Sequence, residues 1–121
     1  MKDNDPDRRV EWTKAARADM KFLVEKRGFT RSDFQRLAAT LNLVACQQCP
    51  EDHPWVTGVR FAEKYGETVF RVKHTGLTVS VRVIFEWTVD AVVVWACLER
   101  TANTYRIAED RLLAFVRGIL A

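Results

Sequence analysis

Five residues in the second half of the chain have the types and spacing to hold an anion. Arg71 and Lys73 lie two apart in "VFRVK", Arg82 lies in "VRVIFEW", and Arg100 and Tyr105 follow one another in "LERTANTYR". Positions two apart on a strand share one face. If Leu77, Val79, Val81, Val83 and Phe85 point to a core, then Thr78, Ser80 and Arg82 point away from it, and only Ile84 breaks that second row. In "VFRVK" the same rule turns Phe70 and Val72 inward and Arg71 and Lys73 outward, with Arg60 able to join from the preceding strand. No acidic residue occurs between Glu67 and Glu86. Like charges at cross-strand distance repel, so such a group wants an anion. Phosphate suits it: arginine forks onto two oxygens and lysine adds a point charge. Thr78 and Ser80 hydroxyls can bond sugar or phosphate, and Tyr105 can stack on an unpaired base. The charge pattern alone fits an ordinary solvated sheet face equally well.

A second constellation is "CQQCPEDH", which sets Cys46, Cys49 and His53 at C-x-x-C-x3-H spacing. A structural zinc site wants four ligands, and the fourth would have to be Cys97, His74 or a nearby acid such as Asp52. Core or surface thiols are the better reading, with no metal and no cofactor. The C-x-x-C also lacks the βαβ setting of a redox motif. His74 reads as an exposed turn residue, and the four tryptophans read as core or edge packing.

The elements that must carry these residues follow from periodicity. "RRVEWT" alternates as a short strand, with Val10 and Trp12 on one side. "TKAARADMKFLVEKRG" has a helical apolar stripe and a glycine stop at Gly28. Thr30 and Asp33 have capping-box spacing and open a second helix, which ends near Cys49 before Pro50. Strands are expected over 55–62, 68–73, 77–87 and 91–98, joined by tight turns into an antiparallel meander. "AVVVWACL" is apolar on both parities and should be covered on both faces. A last helix starts near Thr104, with Tyr105, Leu112, Leu113, Val116 and Ile119 on its apolar side.

These readings give an α+β fold: strand, helix, helix, antiparallel β-meander and C-terminal helix, the helices mainly on one sheet face and the other face partly open. The first strand should join at or near a sheet edge. Residues 1–7 read as a frayed, polar start and 8–121 as a single domain. At 48% hydrophobic and 29% charged, the 121-residue chain is globular in composition, and its net charge of +3 does not by itself demand a nucleic-acid partner. No run approaches a membrane span, the first residues are polar rather than leader-like, and three cysteines suit free thiols. The expectation is a cytoplasmic protein that does not engage membranes.

Read in order, several stretches together resemble the RelE/ParE toxin superfamily. "VEWTKAARADMKFL" resembles that family's opening strand and helix. "VFRVK" and "VRVIFEW" resemble its paired strand motifs, and "VVVWACLERTANTYR" resembles its last strand and exit. Each motif is short; the ordered set covers most of the chain from Val10 onward. The resemblance implies a toxin of a toxin-antitoxin system. RelE-like members are metal-independent endoribonucleases that cut mRNA, often on the ribosome, and each is restrained by a cognate antitoxin in a hetero-oligomer; a dimer is the other assembly considered. It further implies that Arg82, Arg100, Tyr105 and Lys73 are catalytic and that Arg71, with Lys73, binds RNA. Tyr105 would be a general base or a stacking platform. Glu99 stands where the family often has histidine, and "KHTGLTVS" is longer than its usual turn. The ParE-like branch, which inhibits gyrase, is the alternative, together with a non-enzymatic protein-binding toxin.

Overall fold

A computed structural model describes residues 8–59 and 69–120, except for the side chains of 115–120. The chain opens with β1 (Arg9–Trp12), α1 (Lys14–Lys26) and α2 (Arg31–Ala45). A 3-10 turn (Pro50–Asp52) leads to β2 (Val56–Gly58), β3 (Val69–His74), β4 (Val81–Trp87) and β5 (Ala91–Glu99), and α3 (Thr104–Leu120) closes the fold. The α+β class agrees with the sequence reading. The outer parts of the first meander strand, with Arg60, lie outside the described residues, as do residues 1–7 and the Val116 and Ile119 side chains.

Local chemistry sets the early boundaries. Thr13 caps α1 by accepting the Ala16 amide at 3.2 Å. Gly28 adopts φ +73°, and the Phe29 amide returns to the Leu23 carbonyl at 3.1 Å, which ends the helix. The Thr30–Asp33 capping box is complete: the Thr30 amide donates to the Asp33 carboxylate at 2.9 Å, and the Asp33 amide donates to Thr30 Oγ1 at 3.1 Å.

The sheet order is β1-β5-β4-β3-β2, with β1 parallel to β5 at one edge and every other pairing antiparallel. A parallel first strand follows from the route of the chain, because α1 and α2 carry it back across the sheet before the meander begins. Leu23, Leu37, Leu41 and Val44 from the two helices pack on Val72, Val83, Phe85, Val92 and Val94, which fills one face. Near Ile84/Phe85 the β4–β5 register slips: Ile84 faces Ala96 and Phe85 faces Val94, leaving Trp95 as the extra residue of a bulge. Trp95 and Ala96 therefore both join a second cluster with Val69, Ile84, Ala108 and Leu112 on the other face.

That second cluster corrects the expectation of an open sheet side. α3 lies across it, and Ile84, the lone apolar residue in an otherwise polar row, is part of its floor. β4 also starts at Val81 rather than Leu77. Leu77 and Val79 instead sit in the approach to the strand, packed against the first cluster.

One edge needed special cover. β1 ends opposite Val94, so β5 continues unpaired on that side. Asp19 of α1 accepts the Cys97 amide at 2.9 Å, and Arg111 of α3 donates to the Trp95 carbonyl at 2.9 Å. The two side chains are bonded to each other at 2.6 and 3.1 Å, so a bidentate ion pair spans the bare edge in place of a strand.

Candidate functional site

Strand register brings the cations together. Lys73 is directly opposite Arg82, and Arg82 is opposite Leu98 on its other side. Two residues along, Thr57, Arg71, Ile84 and Ala96 form the next row across the sheet. By alternation Arg71, Lys73 and Arg82 share the α3 side of the sheet, as the sequence implied. The Arg100 amide donates to the Ser80 carbonyl at 2.9 Å, which extends the ladder one step past Glu99. Ser80 is exposed at the entrance to β4, two residues before Arg82.

Arg82 is the unusual member. It is only 9% exposed, yet its guanidinium makes one described hydrogen bond, Nη1 to its neighbour's carbonyl at Val81, 3.2 Å. No carboxylate pairs with it among the described residues. Lys73 beside it is exposed. The other nitrogens of Arg82 are not sealed off: among the described residues the buried side-chain polar atom left without a partner is the Tyr105 hydroxyl, so Arg82 keeps donors open to solvent beside a second cation, where an anion can meet them.

Arg71 is held differently. Its Nε donates to Thr57 Oγ1 at 2.7 Å, and its Cζ lies over the Tyr105 ring, 5.0 Å from the centroid. Tyr105 is in the first turn of α3, and its hydroxyl is buried with no hydrogen-bond partner among the described residues. That placement suits a ring that supports a cation better than a phenol that moves protons. Thr57 was not visible as a site residue in the sequence, because its role depends on the β2–β3 register.

Two expected members fall elsewhere. Thr78 does not stand in the Arg82 row. Its amide and hydroxyl donate to Asp33 at 3.1 and 2.5 Å, tying the approach to β4 onto the N-terminus of α2. Arg60 lies outside the described residues. Glu99, which the motif places beside Arg100, turns to the other side and pairs with Arg27, the C-cap of α1, at 2.7 Å. The acid next to the supposed site therefore belongs to a different surface.

The hydrogen bonds accepted by the Asp33 carboxylate, led by the Thr78 hydroxyl, outweigh its burial and hold its carboxyl down at about 2, against an ordinary 3.8. Cys97 is the opposite case: burial, and then the nearby Asp19 carboxylate, push its thiol up to about 12. That makes it an inert core residue.

The histidines and the other cysteines form no ligand set. His74 is buried, not exposed as its turn position suggested. Its Nε2 lies 2.9 Å from Thr40 Oγ1, and its ring packs edge-on to Trp55 at 4.9 Å. His53 Nδ1 accepts the Trp55 amide at 3.1 Å, and desolvation followed by the proximity of His74 lowers its pKa. The Asp52 carboxylate is occupied by the Cys49 amide. Among the described residues no three His, Cys, Asp or Glu side chains stand close enough to hold a metal ion. Nor is any described helix long and apolar enough to cross a membrane.

Comparison with known proteins finds no match among family models, curated proteins or solved structures.

Proposed function

We propose that the Arg82 face binds RNA phosphodiesters and that the protein is a RelE-like toxin, a metal-independent endoribonuclease restrained by a cognate antitoxin. The observation that carries this reading is Arg82, a nearly buried residue whose guanidinium makes one described backbone bond, keeps other donors open to solvent and has a lysine directly opposite it. Two adjacent cations without a carboxylate partner among the described residues favour an anionic ligand. The order strand, helix, helix, meander, helix, with the first strand parallel to the last, is also compatible with the resemblance carried by the motifs.

The reaction is attack of an RNA 2′-oxygen on the adjacent phosphorus. The O2′–P bond forms and the P–O5′ bond breaks, giving a 2′,3′-cyclic phosphate and a 5′-hydroxyl; the 2′ proton leaves to a base and the leaving oxygen gains one. Arg82 and Arg100 stabilise the charge that grows on the phosphorane, and Lys73 assists. Arg71 orients the strand. Tyr105, with its hydroxyl buried, acts through Arg71 as a platform.

One observation favours a second reading, in which the face binds phosphate without cutting. Glu99 faces α1, and the Tyr105 hydroxyl is buried, so neither is placed to take the 2′ proton. The purified protein incubated with a structured mRNA separates the readings. Cleavage with 2′,3′-cyclic ends, reduced about 100-fold or more in Arg82→Ala, supports the nuclease. Binding that depends on Arg82 without new ends supports the second reading. Neither cutting nor binding rejects both.

A further inference from the structure

We infer that the side of the Arg71 guanidinium away from Tyr105 is a stacking platform for an unpaired nucleobase of the RNA bound at this face. The inference deepens the RNA-binding reading above and rests on it.

A surface arginine normally sweeps through many rotamers and offers no fixed plane. Arg71 is fixed at two points. Thr57 Oγ1 accepts from Nε at 2.7 Å, and the Tyr105 ring backs the guanidinium at 5.0 Å. The guanidinium is therefore held in one place, over the phenol ring. Arg71 is half-buried and Thr57 is exposed, so the pair lies at the solvent boundary of the sheet. A planar, weakly hydrated cation stacks on π-faces, as arginine planes do in single-strand recognition. Tyr105 itself is not the outer plane, since Arg71 covers its ring and its hydroxyl is buried.

The strand spacing suits one nucleotide bound at two points. Arg71 and Lys73 are two residues apart on β3, roughly 7 Å along the strand, and Lys73 is directly opposite Arg82. A base lying on Arg71 leaves its phosphate within reach of the Lys73–Arg82 pair. Paired bases in a duplex are already stacked and cannot present a free face, so the geometry selects unpaired RNA.

The test uses a short 2′-O-methyl RNA oligonucleotide, which cannot undergo 2′ attack, carrying 2-aminopurine as a fluorescent stacking reporter. Wild-type protein should quench the reporter on binding and should prefer the single strand to its duplex. Arg71→Lys keeps the charge and loses the plane. It should abolish the quench, weaken binding roughly five- to tenfold and leave the salt slope unchanged. Arg82→Ala should keep the quench at saturating protein and lower the salt slope by about 0.7. Thr57→Val should weaken the quench by freeing the guanidinium. If Arg71→Lys fails to fold by circular dichroism, Thr57→Val decides, and an unchanged quench there overturns the platform. Wild-type binding without quench, a full quench in Arg71→Lys, or equal affinity for the duplex also overturns it while leaving phosphate binding intact. No binding of the single strand even at low salt overturns the platform and the RNA reading together.

Discussion

Arg82 lets charge be separated from packing at a single position. The residue is 9% exposed and its one described bond is to Val81. Its remaining donors reach solvent, so an apolar side chain of similar length can replace its packing while removing its charge. Arg82→Met should therefore change the stability of the free protein by less than about 1 kcal/mol while RNA binding falls at least about tenfold. Thermal melts and a binding titration read the two effects, and a less stable variant with intact binding would contradict the assignment. Asp33 makes a prediction about pH. Its folded pKa, about 2, lies below the ordinary 3.8, so its contribution is present above about pH 4 and is lost as pH falls toward 2. The shift corresponds to about 2 kcal/mol. Acid titration of stability in the native protein and in Asp33→Asn should differ by this term, with the variant losing less between pH 4 and pH 2; parallel curves would show that the Thr78 bonds do not matter. At this scale the sequence revealed which residues are cations and which pair forms the capping box. It did not reveal that Thr78 reaches Asp33 or that Glu99 turns to Arg27, because a side chain's partner 45 or 72 positions away is set by packing.

Among the elements, β5 is the one whose neighbours matter most. Its first half is paired with β1 and its second half is not, so the Asp19–Arg111 pair occupies the free amide and carbonyl. Removing either side chain leaves a partly buried charge and an unmatched backbone group. Asp19→Ala or Arg111→Ala should each cost about 2–3 kcal/mol, and the double variant should cost much less than their sum. A chemical-denaturation mutant cycle measures this coupling, and strict additivity would refute the bridge. The bulge at Trp95 is the other device on this strand. It turns two consecutive apolar residues to the same side, where α3 needs them. "AVVVWACL" announced a strand covered twice, but a phase change inside a run that is apolar on both parities leaves no trace in periodicity. The helices were easier to read, because caps and stops are local: Thr13, Thr30 and Gly28 each act within a few residues of the boundary they set.

At the scale of the whole molecule, two apolar layers enclose one sheet, and the cations lie on the α3 side, with Lys73 exposed, Arg71 half-buried and Arg82 nearly buried. α3 is therefore both a structural wall, through Ala108 and Leu112, and the carrier of Tyr105. Leu112→Ala should destabilise the fold by about 2–4 kcal/mol and, short of unfolding, loosen the Arg71–Tyr105 contact. The proposed single-strand binding should also fall steeply with salt, with a slope near −2 if about three phosphates are neutralised by Lys73, Arg82 and Arg100. A salt-independent affinity would argue against a phosphodiester ligand. The net charge of +3 is small, so this dependence would come from local placement and not from a long-range field.

Alternation, caps and apolar stripes are properties of neighbouring residues. The sequence alone therefore determined the α+β class, the order of elements and the cationic character of one strand face. Which cations lose water, which are backed by a ring, which acid turns away and how far the last helix covers the sheet were decided only in three dimensions. Those outcomes depend on register between distant strands and on the space left after the core has packed, and neither is written in any short stretch of the chain.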